Sequence, residues 1–215
     1  NGMKFTQHYA FAVCAPSRYL LMTGTNSGKA YIRGNHEWGE RGPVWDFKAM
    51  EENPFLEGQW PIPDSTITIA EVLKQAGYTT GIVGKWGLGA PYTAGTPNKQ
   101  GFDYFYGYIC QRQDHTYYNG HLWENEYRVP LDNKVVDPNV KFPDRLDSND
   151  PRKYDVYQQN VYGPDLLIKA AIDFIDKNKE KPFFLYYPSP LPHVSLQAPK
   201  KWVDYYHERF GDEKP

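Results

Sequence analysis

The sequence predicts an α/β fold, a mixed and mostly parallel central sheet with helices on both faces. Two helix-then-strand units carry that reading. In the first, Thr68-Ile69-Ala70-Glu71 has the form of a capping box, in which a threonine hydroxyl and a glutamate carboxylate satisfy free N–H groups at a helix start. Ile69, Val72, Leu73 and Ala76 then recur at helical spacing, Gly77 stops the helix, and Tyr78 to Gly84 reads as a short buried strand. In the second, Pro164 opens a helix with Leu167, Ala170, Ala171, Phe174 and Ile175 on one face, running to Asn178. Phe183 to Tyr187 follows, apolar throughout, as expected of a strand covered on both faces. Repeated helix–strand units pack as layers around a sheet, with chemistry at the strand ends.

The remaining segments are less regular. Met3 to Val13 carries Phe5, Tyr9, Phe11 and Val13 in weak alternation and reads as a short strand or an extended arm. Thr25 to Pro63 is rich in Gly, Pro, Asn and Trp without a sustained period, so a long surface excursion is expected. Trp86 to Lys153 reads mostly as loop with aromatic and charged residues. No internal repeat or linker divides the chain, and 215 residues suffice for one core.

A net charge of −2 gives no electrostatic case for nucleic acid or for an anionic membrane surface as partner. Mean hydropathy is −0.72, and no apolar run approaches the length of a membrane span. The 18 Tyr and 6 Trp suit a carbohydrate-facing surface and equally suit loop packing. Cys14 and Cys110 are not spaced as a CxxC zinc site, and a disulfide between them remains open at this level.

The stretch with the most chemistry is Cys14-Ala15-Pro16-Ser17-Arg18, followed by Tyr19 to Met22 and Thr23-Gly24. Pro16 fits a first helical turn and Gly24 a helix stop. Cys14 is therefore expected at a helix N-terminus, where free N–H groups and the dipole favour an anion. Arg18 lies one turn on and can hold an oxyanion beside it. Two further landmarks sit at strand ends: Gly84-Lys85-Trp86-Gly87-Leu88-Gly89, and Pro188-Ser189-Pro190-Leu191-Pro192-His193 with Leu196-Gln197-Ala198-Pro199.

These three landmarks resemble the signatures of the formylglycine-dependent sulfatases of the alkaline-phosphatase-like superfamily. The resemblance implies that a formylglycine-generating enzyme oxidises Cys14 to an aldehyde, whose hydrate attacks a sulfate ester and later expels sulfate. It implies sulfate contacts for Arg18 and Lys85 and a proton-donating role for His193 toward the leaving oxygen. It also implies a calcium ion held in part by the modified Cys14, with its other ligands outside this chain. Asp46, Asp103 and Asp114 have no spacing that assigns them to calcium. The family usually carries His where this chain has Gly87. Some relatives with Gly there resemble this chain in an Arg-Gln-x-His-Thr-Tyr-Tyr segment, which makes His115 the expected substitute. Tyr31 to Asn35 resembles an Arg-Gly-Asn turn of the same family, and neighbouring His36 reads as a loop histidine or a substrate contact.

On this resemblance residues 1–215 form part of one catalytic domain, lacking its first strand and its C-terminal portion. The expected substrate is a sulfated carbohydrate, with Arg112, Tyr117, Tyr118 and Trp123 as candidate sugar contacts. A bacterial, periplasmic or secreted polysaccharide-degrading enzyme is implied. Two alternatives stay open: a phosphonate or phosphodiester hydrolase of the same superfamily, and a sulfatase-like protein that binds a sulfated glycan without cleaving it. A redox role for the cysteines would leave Lys85 and His193 without purpose.

Overall fold

The computed structural model describes residues 2–38, 46–136, 146, 150–193 and 197–211. Leu196 and parts of the 25–63 and 86–153 segments lie outside the described residues. Among the described residues, five strands form one sheet in the order β4-β3-β2-β1-β5. They are β1 (Thr79–Lys85), β2 (Tyr104–Tyr108), β3 (His121–Glu124), β4 (Tyr127–Pro130) and β5 (Phe183–Tyr186). β1 pairs in parallel with β2, Lys85 opposite Tyr108, and with β5, Ile82 opposite Tyr186. The β3–β4 hairpin adds antiparallel strands at the far side.

The helices are α1 (Cys14–Thr23), α2 (Phe47–Glu52), α3 (Ile69–Gln75), α4 (Gly163–Asn178) and α5 (Lys200–Phe210). Two cores form because strand side chains alternate between faces. Ile82, Phe105 and Phe184 pack with Ala15, Tyr19 and Met22 of α1 and Ala70 of α3. Val83, Tyr106 and Leu185 pack on the other face with Leu167 and Ala171 of α4. Helices therefore cover both faces of a mixed sheet, as the helix–strand units predict. The capping box is present, with Thr68 Oγ1 accepting from Glu71 N–H and Glu71 Oε2 accepting from Thr68 N–H.

Several local expectations are corrected. The face of α3 that is buried centres on Ala70, while Ile69 and Val72 are exposed and Ala76 lies at the surface. Ile175 of α4 is likewise exposed, because Leu167, Ala171 and Phe174 define the narrower stripe that meets the sheet. β5 is half-buried along its length rather than enclosed, since among the described residues it has a paired neighbour on one side only. Of the two forms expected for Met3 to Val13, a strand or an arm, the strand is not the one found. Residues 25–63 are more than a surface excursion: Ala30, Ile32, Phe47, Met50 and Ile62 enter the core. Within 86–153, the strands β2, β3 and β4 replace what reads as loop.

Candidate active site

α1 begins at Cys14, and the side chain of Asn35 accepts a hydrogen bond from Ala15 N–H at 2.8 Å. The Arg33-Gly34-Asn35 turn thus caps the helix that carries the cysteine. Gly24, at φ 65°, ends α1 and donates its N–H to Leu20. Cys14 is half-buried and free, as is the fully buried Cys110, so the two are not bridged. Cys14 and Arg18 line a cavity of about 780 Å³ together with His8, Tyr9, Tyr186 and Pro188.

Arg18 ties this cavity to the sheet. Its Nη1 donates to the carbonyl of Lys85 at 2.6 Å and reaches the Tyr186 hydroxyl at 3.3 Å. Its Nε is buried without a hydrogen-bond partner among the described residues. Lys85 closes β1, and its ammonium lies 3.0 Å from a carboxylate oxygen of Asp114. Both side chains are essentially removed from solvent, at 3% and 0% exposure.

The segment after β2 completes the cluster. Gln113–His115 is one turn of 3-10 helix, which sets Asp114 against Lys85 and His115 beside His193. The two imidazoles stack with centroids 4.2 Å apart and planes 15° apart. Burial, with the charges of His193, Lys85 and Arg112, pushes His115 down to about 3, so its imidazole is neutral at ordinary pH. Tyr117 holds the partner loop in place, its hydroxyl donating to the carbonyl of His193 at 2.7 Å. Gln197 accepts from Tyr117 N–H at 2.8 Å, fixing the same loop from its far side.

The helix start at Cys14 is thus joined, through Arg18 and the Lys85 carbonyl, to the buried Lys85–Asp114 pair and the stacked imidazoles of His115 and His193. Sequence comparison then identifies the lineage. The family model described as "Sulfatase" matches residues 1–214. The chain belongs to the sulfatase family. It is 30% identical to N-acetylgalactosamine-6-sulfatase of Rattus norvegicus over 225 residues, covering 99% of this chain and 37% of that protein. It is 27% identical to an arylsulfatase of Klebsiella aerogenes, covering 94% of this chain and 38% of that protein. The structure of Ps i-CgsB in complex with k-i-k-neocarrahexaose aligns with a TM-score of 0.57 at 25% identity, over 94% of this chain and 39% of that one. This sulfatase chain thus spans well under half the length of these relatives.

In the sulfatase chain, Gly87 has a structural reason. Its φ is +74°, and a β-carbon there would lie 2.4 Å from Cγ of Gln111. The 111–118 segment fills the space a larger residue at 87 would take, and the same segment delivers His115. Of the expected sugar contacts, Tyr117, Tyr118 and Trp123 are buried, at 3% exposure or less. Their ring faces are packed inside the protein, with the Tyr118 hydroxyl on Gln158 and the Trp123 indole on Glu57. Arg112 is half-buried and paired with Glu37. His36 is exposed.

Sequence reading named Asp114 and Asn35 without the contacts they make here, Asp114 with Lys85 and Asn35 with Ala15 N–H. It also missed a buried network beneath them, in which His121 of β3 bridges Glu51 at 2.6 Å and Glu57 at 3.1 Å while Arg128 of β4 pairs with Glu57. For calcium, the residues at hand do not fit. Among the described residues no group of three His, Cys, Asp or Glu converges as a metal site, and the charged neighbour of Cys14 in its cavity is the cationic Arg18. Asp46 instead caps α2 at 2.9 Å, Asp103 accepts from Thr80 N–H and pairs with Lys74, and Asp114 serves Lys85. Among the described residues, no helix is long and apolar enough to cross a membrane.

Proposed function

We propose that the protein hydrolyses sulfate monoesters of a carbohydrate, with Cys14 as the precursor of its nucleophile. The observation that carries this reading is the bond from Arg18 to the Lys85 carbonyl, which joins the cysteine-bearing helix start to the lysine at the end of β1. Converted to formylglycine, position 14 supplies a hydrated aldehyde able to attack sulfur. The exposed edge of Cys14 in an open cavity, and the positive end of α1 around it, fit that use.

The remaining residues have separable tasks. Arg18 presents its unpartnered Nε to a sulfate oxygen and keeps the helix registered on β1. Lys85 offers an ammonium to the charge that develops as the S–O bond breaks. His193 hands a proton to the departing sugar oxygen, which leaves poorly as an alkoxide. His115, neutral and stacked on it, steadies the His193 ring and donates its one N–H to the same oxygen or to bound water. The carbohydrate class is supported by a relative named N-acetylgalactosamine-6-sulfatase and by a structural neighbour in complex with k-i-k-neocarrahexaose. Such a polysaccharide substrate accords with a periplasmic or secreted enzyme of bacterial type.

The test uses the full-length protein produced with a formylglycine-generating enzyme. Mass spectrometry of the peptide containing Cys14 is expected to show the aldehyde, and sulfated galactose-type oligosaccharides are expected to release inorganic sulfate. A plain thiol under conditions that modify a control sulfatase, with glycan bound but uncleaved, overturns the reading. Faster hydrolysis of an aryl phosphonate than of an aryl sulfate redirects it to phosphonate chemistry.

A further inference from the structure

The sulfatase reaction as outlined needs cations and proton donors around the ester. Asp114 is the opposite, an anion with 0% exposure set among them. Its Oδ2 is 3.0 Å from Lys85 Nζ and its Oδ1 is 4.0 Å from His115 Nε2. Burial pushes its carboxyl up from the usual carboxylate range, Lys85, Arg18 and His193 pull against that rise, and the Tyr108 and Tyr117 phenols also feel its charge. Apart from Lys85, neither carboxylate oxygen has a hydrogen-bond partner among the described residues. A buried carboxylate is costly unless a counter-charge compensates it, and the same holds for the buried ammonium. The two groups are therefore mutually dependent.

Removing the anion would leave Lys85 enclosed with Arg18, His115 and His193 and no negative partner. Desolvation and like charge both favour release of a proton from an ammonium so placed. A neutral amine loses most of its attraction for sulfate. With the carboxylate present, an ammonium has three N–H donors, one of which is committed to Asp114.

We propose that Asp114 is a positioning residue of this site: its buried carboxylate anchors the Lys85 ammonium, preserves its positive charge and turns its remaining donors toward a sulfate oxygen. The inference rests on the sulfatase reading above and adds a residue that does not itself touch substrate.

The experiment compares the full-length, formylglycine-bearing wild type with Asp114→Asn, Lys85→Met and the double variant. Asp114→Asn conserves shape and removes charge. It is expected to lower kcat/KM roughly tenfold or more at neutral pH and to move the alkaline limb of the pH–rate profile down by about one unit, with recovery toward pH 6. In the Lys85→Met background the same change is expected to add little, because the group it serves is gone. An unmoved alkaline limb, or losses that simply add, overturns the proposal. Asp114→Glu keeps the charge and serves if the amide variant does not fold. It is expected to retain the wild-type limb, and a limb displaced to lower pH would also overturn the proposal. Calorimetric binding of inorganic sulfate separates the two readings. If the wild type binds sulfate without turnover, the hydrolase reading fails, while the proposal still requires Asp114→Asn to lose affinity as pH rises and the wild type to keep it. No sulfate binding by the wild type overturns both.

Discussion

Gln111 lies over Gly87 so closely that no β-carbon fits between them, its Cγ being 2.4 Å from where that atom would sit. The glycine and the segment that delivers His115 are thus one structural choice. Gly87→Ala is expected to destabilise the protein by roughly 1–3 kcal/mol through positive φ and overpacking. Gly87→His, which restores the commoner family residue, is expected to displace Gln111 and reduce turnover rather than raise it. Thermal unfolding and kcat measured side by side check this, and a more active histidine variant contradicts it.

The stacked histidines predict unequal losses. His193→Ala is expected to lower kcat by roughly 10²–10⁴, the usual range for a lost general acid. His115→Ala is expected to cost less, about tenfold, because a neutral imidazole supports the acid without being it. His115→Phe keeps a ring against His193 and is expected to fall between the wild type and His115→Ala. Turnover unchanged in His115→Ala removes that residue from the site.

His121 predicts an alkaline weakening of the fold. Burial disfavours its charge, but hydrogen bonds and charge from Glu57 and Glu51 outweigh this and raise it to about 9, against 6.5 for the free side chain. The folded value is the higher one. The network's contribution is therefore complete below about pH 6.5 and is lost as pH rises through about 9. Denaturant midpoints measured from neutral to alkaline pH are expected to fall in that window. His121→Gln is expected to be less stable at neutral pH by roughly 2 kcal/mol and to flatten the slope. A slope that persists in the variant assigns it to other groups.

The cap on α1 offers a separate probe of the nucleophile's setting. Asn35→Ala deprives Ala15 N–H of its acceptor and is expected to cost about 1 kcal/mol, while Asn35→Asp retains it. Because the cap sits one residue from Cys14, kcat is expected to fall in the alanine variant with the carboxylate variant close to wild type. Paired unfolding and turnover measurements check both.

What could be read from the chain was local. The capping box at Thr68, the proline start at Pro164 and the Pro16/Gly24 limits of α1 each announce themselves within a few residues. β2 did not, because Tyr-Phe-Tyr-Gly-Tyr is aromatic at both inward and outward positions and so lacks an alternating signature. The hairpin turn between β3 and β4 uses Asn125-Glu126 in place of Asn-Gly, with Asn125 at φ 53°. Its side chain holds the turn by accepting from Phe105 N–H, a contact 20 residues distant that no window reveals. The contacts of Asp114 and Asn35 escaped for the same reason: they exist only across 29 and 20 residues of chain. The aromatic cluster of 104–123 was legible as unusual, but composition alone did not separate a sugar-facing ring from a packed one.

β1 also sets a limit on how this part of the chain tolerates change in length. Its alternate residues answer to different cores, Ile82 to the α1 side and Val83 to the α4 side, and the strand has a parallel neighbour on each flank. Deleting or inserting one residue between Thr79 and Lys85 would invert every assignment downstream of the change and carry the lysine to the opposite side of the sheet from Asp114. Insertions and deletions are therefore excluded from this strand far more strictly than point substitutions are, and length variation among functional versions of this chain has to be absorbed elsewhere.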